Sequence, residues 1–92
     1  MYYMLLYDVV DNFIERRTVF REEHLKQVRD AHDRGELWLA GALVDPVDGA
    51  ALVFTTEDRS VAERFAQNDP YVKGGLVKQW RVRQWNVVVG GK

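Results

Sequence analysis

An α+β fold in the order strand, helix, strand, strand, helix, strand is what this sequence predicts, and three observations carry the prediction. Four apolar runs, at residues 2–7, 37–43, 50–55 and 76–89, have the length and the aromatic and β-branched content of strands. Two stretches with helical apolar periodicity separate the first run from the second and the third from the fourth. Only Asp45-Pro46-Val47-Asp48-Gly49 lies between the second and third runs, and its Pro and Gly suit a tight turn, so those two strands pair as an antiparallel hairpin.

Each element has its own signals. Strand one covers residues 2–7 and ends at the polar group 8–12. Helix one begins between Phe13 and Thr18, with Asn12 and Glu15 spaced to cap an early start. It ends where Arg34 suits the exposed carbonyls and Gly35 suits a left-handed cap. After the hairpin, Thr55-Thr56-Glu57-Asp58 offers a cap with acidic first-turn residues, and Val61, Ala62, Phe65 and Ala66 form the apolar stripe of helix two. Pro70 disfavours helical geometry in the residue before it, which stops that helix near Asn68. The last strand spans residues 76–89, and Gly90-Gly91-Lys92 form a loose end.

This order is the split β-α-β repeat of the ferredoxin-like fold: a four-stranded antiparallel sheet with two helices on one face. Such a sheet normally alternates apolar and polar residues. Here strand one is apolar at Tyr2, Met4 and Leu6 and also at Tyr3, Leu5 and Tyr7. Strand two repeats this, with Leu37, Leu39 and Leu43 on one parity and Trp38, Ala40 and Ala42 on the other. Both faces therefore call for burial, the helices can cover only one, and a homodimer packed through its sheets, or a higher oligomer built on it, is the expected solution.

Composition bounds the rest. Ninety-two residues make a single domain, 1–92, that buries only about 60–65 % of its unfolded surface, which makes association a further expectation. Hydrophobic and charged contents of 47 % and 29 % are those of a globular protein, and no apolar run is long enough to span a bilayer. The N-terminus carries neither a basic leader nor a cleavage site, so the chain reads as a mature cytoplasmic protein. Without cysteine there is no disulfide, thiolate metal site or cysteine nucleophile, and a net charge of −1 gives no field for polyanions. Lys78, Trp80, Arg81, Arg83 and Trp85 interleave cations with aromatics, but strand alternation explains them better than nucleic-acid binding. Gly74-Gly75 lacks the pattern of a phosphate loop, and two histidines without cysteine make no persuasive metal site.

The residues that point to chemistry lie in Arg17-x-x-x-Arg21-x-x-His24. Steps of four and three place two guanidinium groups and an imidazole on one face of helix one, on the stripe shared by Phe20, Val28 and Ala31. Two cations there call for a carboxylate or an anionic ligand, and Asp69, held by the Pro70 turn, is the internal candidate. His32, in the last helical turn, reads as structural.

Three segments in this order and spacing, Arg17-Thr18-Val19-Phe20-Arg21-Glu22-Glu23-His24-Leu25, Gly35-Glu36-Leu37-Trp38-Leu39-Ala40-Gly41 and Asp69-Pro70-Tyr71-Val72-x-x-Gly75-Leu76, resemble the YciI-like family of small dimeric α/β-barrel proteins. The resemblance spans nearly the whole chain. It implies the ferredoxin-like fold, dimerisation through the sheets, and a pocket whose histidine and aspartate map onto His24 and Asp69. It also implies relatives among muconolactone isomerases and a dehydrochlorinase of chlorinated hydroxyhydroquinones.

A carboxylate that fixes an imidazole tautomer lets the other ring nitrogen exchange a proton near neutral pH. Arg17 or Arg21, with Tyr71 beside them, would hold an anionic substrate and stabilise an enolate. The expected function is a cofactor-free lyase or isomerase acting on a small anionic, cyclic or aromatic compound. The alternative is a ligand-binding or regulatory module that uses the same pocket without chemistry.

Overall fold

The structure, a computed structural model, describes residues 1–91. The chain runs β1 (Tyr2–Val9), α1 (Phe13–Arg16), a 3-10 turn (Arg17–Val19), α2 (Arg21–Asp33), β2 (Leu37–Leu43), β3 (Gly49–Thr55), α3 (Ser60–Asn68), α4 (Pro70–Lys73) and β4 (Val77–Trp85). All strand pairs are antiparallel and the sheet order is β2-β3-β1-β4. This is the ferredoxin-like topology, with the helices on one face. Among the described residues no helix is long and apolar enough to cross a membrane.

Strand alternation decides what the sheet buries. On β1, Tyr3, Leu5, Tyr7 and Val9 lie under the helices, while Tyr2, Met4 and Leu6 point to the other face and are half-buried. The register carries the division across the sheet: Leu5 stands opposite Leu52 and Val82, and Leu6 opposite Ala51 and Arg81. Phe54, fully buried on the helix side, meets Phe65 of α3 edge to face with ring centroids 5.4 Å apart. Trp80 packs on the same side, and Arg81 and Arg83 alternate onto the opposite one.

Strand β2 departs from simple parity. Its register with β3 shifts between Leu37, opposite Phe54, and Leu39, opposite Val53, so Trp38 is an extra residue. Leu37 is thus buried in the core, whereas Leu39 and Leu43 stand on the open face, 55 % and 49 % exposed, and Ala40 and Ala42 turn to the helix side. The expectation that Leu37, Leu39 and Leu43 share one face fails at this bulge.

The helical segments also correct the sequence reading. Helix one is two helices joined by a 3-10 turn, because Phe20 interrupts the ladder before α2. Asn12 makes no side-chain cap; it adopts the left-handed conformation at φ 62° and its carbonyl accepts from Arg16 N–H at 3.0 Å. The end of α2 follows expectation. Gly35, at φ +81°, donates to His32 O, and Glu36 N donates back to Ala31 O, the paired bonds of a Schellman cap. Helix α3 starts at Ser60, later than the Thr55–Asp58 signal suggests, because Asp58 spends its carboxylate accepting from Ser60 N at 2.8 Å just before the helix.

Strand β1 continues two residues past residue 7, and Val9 N donates to Asp48 O. Strand β4 stops at Trp85 rather than at residue 89. Trp85 pairs with Tyr2, where β1 begins, so the following valines have no strand to pair with, and Val88 and Val89 are exposed. Gly91 then seats against the Tyr2 ring, which a side chain at that position would strike. Lys92, the last residue of the expected loose end, lies outside the described residues.

Candidate active site

The site forms where the start of α2 meets α4. The Phe20 ring lies against Gly74, so closely that a Cβ there would stand 2.6 Å from it, and this contact pins the beginning of α2 to the end of α4. His24 falls in the first turn of α2, its backbone N donating to Phe20 O at 3.0 Å. From α4, the Tyr71 ring stacks on the imidazole with centroids 3.8 Å apart and planes 14° from parallel. Phe13 of α1 meets the other edge of Tyr71 at 5.3 Å, and the Arg17 guanidinium lies over Phe13 at 5.6 Å.

Helix α4 is absent from the sequence reading, although its signature is visible there. Asp69, extended as a residue before proline should be, is the N-cap, and Pro70 is the first helical residue. The Asp69 carboxylate does more than cap. Its Oδ1 accepts from Tyr71 N at 2.9 Å and faces His24 Nδ1 at 2.8 Å, while Oδ2 accepts from the Tyr7 hydroxyl at 2.7 Å. Asp69 is 0 % exposed, and the His24 side chain 14 %.

A carboxylate bonded on both oxygens inside the protein fixes its neighbours. Asp69 can only accept, so His24 Nδ1 carries the hydrogen and Nε2 is left with its lone pair. Tyr7, which the sequence reading leaves in the core of strand one, is the side chain of this cluster that it misses. The available signal was parity: Tyr7 shares the helix-facing side with Tyr3 and Leu5, and a buried tyrosine hydroxyl needs a partner.

Burial, followed by the charge of Asp69 and the hydrogen bond to it, pushes the Tyr7 hydroxyl far above its usual range. Tyr71 also rises, mainly by burial, with the charges of Arg17 and Arg21 pulling it the other way. The Tyr7 shift has a consequence for alkaline stability. Above about pH 10 the unfolded chain releases a tyrosine proton that the native state keeps on Tyr7, so this group lowers stability by about 1.4 kcal/mol per pH unit. Urea unfolding at pH 9, 10 and 11 should show this decline, and Tyr7→Phe should flatten it by one tyrosine's share. Equal slopes in the two proteins would rule out the buried donor.

The cavity beside this cluster has a volume of ≈ 220 Å³. Arg17, Arg21, His24 and Tyr71 contribute its polar wall, and Ala40, Ala42, Ala50 and Leu52 of the sheet contribute an apolar floor. Arg17 reaches it from the 3-10 turn and not, as expected, from the same helix as Arg21 and His24. Asp69 lies behind His24 and Tyr71, outside the cavity wall. His32 stands apart, its Nδ1 bonded to Leu37 O at 2.9 Å, where it ties the end of α2 to β2. Among the described residues no three histidine, aspartate, glutamate or cysteine side chains group as metal ligands would.

Residues 1–86 match the YCII-related domain. Protein YciI of Escherichia coli O6:H1 (strain CFT073) is 31 % identical over an aligned length of 97, covering 96 % of this chain and 98 % of that protein. A protein of Haemophilus influenzae is 28 % identical over 85 aligned residues, covering 83 % and 87 %. Among solved structures, 5-chloro-2-hydroxyhydroquinone dehydrochlorinase (TftG) of Burkholderia phenoliruptrix AC1100, in complex with 2,5-dihydroxybenzoquinone, superposes with a TM-score of 0.79 at 18 % identity over 94 % of each chain. An antibiotic biosynthesis monooxygenase superposes at 0.56 with 13 % identity, over 97 % of this chain and all of that one. At these identities the structural likenesses establish the fold.

Proposed function

This chain belongs to the YCII-related domain family, and from that premise we propose that it is a lyase or isomerase that works by side-chain acid–base chemistry on a small anionic, cyclic or aromatic compound. The observation that carries the reading is the 2.8 Å contact between His24 Nδ1 and Asp69, which leaves Nε2 as a base in a cavity that also holds Arg17 and Arg21. The substrate's carboxylate or phenolate pairs with the guanidinium groups over the apolar floor. His24 Nε2 takes a proton from a carbon next to a carbonyl, and Asp69 stabilises the imidazolium that forms. The electron pair of the broken C–H bond becomes an enolate held by the arginines. In elimination that pair expels a leaving group with its own electrons; in isomerisation the imidazolium returns the proton to another carbon. The dehydrochlorinase of the same fold, seen with a dihydroxybenzoquinone, supports this substrate class.

The open sheet face is assigned to a second copy of the chain, since Met4, Leu6, Leu39 and Leu43 form an apolar surface that no helix covers.

A screen of carboxylated and hydroxylated aromatics, followed by NMR for both product formation and shifts of the His24 ring, tests the proposal. The native protein should turn over at least one compound and His24→Ala should lose that turnover by about a thousandfold. Ligand-dependent shifts without product for any compound would favour the non-catalytic binding module, and turnover unchanged in His24→Ala would reject the role of the imidazole.

A further inference from the structure

The chemistry above uses His24, Asp69 and the two arginines, and leaves the Tyr7 hydroxyl, bonded to Asp69, without a role. We propose that Tyr7 is a positioning residue that sets the proton affinity of His24 by donating a permanent hydrogen bond to the far oxygen of Asp69. The inference rests on the acid–base reading of the site, but its test does not depend on turnover.

Three elements supply the groups that surround Asp69: β1 brings the Tyr7 hydroxyl, α2 the His24 ring and α4 the Tyr71 amide. The carboxylate is 0 % exposed, so in the native chain its hydrogen bonds come from protein donors. A donor on Oδ2 draws negative charge away from Oδ1, and the imidazolium on Oδ1 is then held less strongly. Without Tyr7 the more negative Oδ1 would raise the proton affinity of Nε2 through the ring, and a base that must release its proton each cycle would hold it too tightly.

The hydroxyl is suited to a constant effect. Burial first, and then the Asp69 charge and hydrogen bond, keep it protonated throughout the range in which an imidazole titrates. It therefore biases the pair without titrating itself. The other groups that face His24 are accounted for. Arg21, on its own helix, and Arg17, on the 3-10 turn, share its cavity, and Tyr71 of α4 stacks on the ring. Asp69 is the carboxylate bonded to the ring, and Tyr7 is its modulator from β1.

The experiment is an NMR pH titration of the two histidines in three proteins. In Tyr7→Phe the His24 midpoint should rise by about half a unit to one unit, as expected for a stronger carboxylate partner. His32, bonded to a backbone carbonyl elsewhere, serves as the internal control and should not move. The second variant carries 3-fluorotyrosine at position 7 alone, a stronger hydrogen-bond donor of nearly the same shape, and should move the His24 midpoint down. Opposite shifts in the two variants support the proposal, and a loss of folding in Tyr7→Phe leaves the fluorinated protein to decide it. A His24 midpoint unchanged by fluorination, or displaced in the same direction by both changes, overturns it. Where a substrate is known, the acid limb of the kcat profile should follow the same shifts; a Tyr7 serving packing alone would leave that limb in place.

Discussion

Asp69→Asn is expected to lower turnover by about three to four orders of magnitude while the protein stays folded. The amide matches the carboxylate in size, but it brings no charge and puts an NH2 group where there were only acceptors. Should its oxygen take the His24 and Tyr71 hydrogens, the NH2 meets the Tyr7 hydroxyl, which must turn and leave its own hydrogen unpaired. With the amide reversed, the NH2 faces His24 and stabilises the wrong tautomer. Both arrangements leave the imidazolium without its counter-charge. One broken hydrogen bond in a fully buried site costs about 1–3 kcal/mol of stability, which a domain of ordinary stability survives. Kinetics together with urea unfolding separate the two effects, and a loss of turnover under tenfold would remove Asp69 from the chemistry.

Leu6→Lys should convert the proposed dimer into monomer. Leu6 lies on the open face of a central strand, between Ala51 of β3 and Arg81 of β4. In the isolated chain a lysine there can lay its stem along the sheet and keep its ammonium in water. In a two-fold sheet packing the same residue appears twice, is cut off from solvent, and has arginine as a near neighbour rather than a carboxylate. Burial of such unpaired charges weakens association by more than about a hundredfold. Sedimentation velocity at micromolar concentration would read the change. A Leu6→Lys protein that still sediments as the native oligomer would place the subunit interface elsewhere.

Much of this molecule is legible in its sequence, for physical reasons that differ by element. Apolar runs and turn formers set the order of the elements, and two helix ends are marked locally, by Gly35 because it tolerates the left-handed cap and by Pro70 because it restricts the residue before it. What escapes is decided by distant contacts. The i, i+4 step from Arg17 to Arg21 looks the same in one helix or in two segments, and the break at Phe20 depends on a ring seated over Gly74, more than fifty positions away. The valines after Trp85 have strand propensity, yet propensity supplies no partner once β1 has ended. Helix α4 was within reach, since Asp69 and Pro70 form an N-cap and first-turn pair, but the same dipeptide serves turns equally well. Of the site, spacing puts Arg21 and His24 on one helical face. The link from Asp69 to Tyr7 joins residues 62 positions apart and has no local signal.

The extra residue in β2 ties two properties of the molecule to a single frame. Downstream of Trp38 the alternate side chains furnish, on one side, the small alanines under the cavity and, on the other, the leucines of the open face. Removing one residue there would exchange the two sets, filling the hollow with leucine and stripping the outer surface to alanine. The proposed ligand pocket and the proposed assembly surface therefore rest on one register, and a change in the length of this strand would alter both at once.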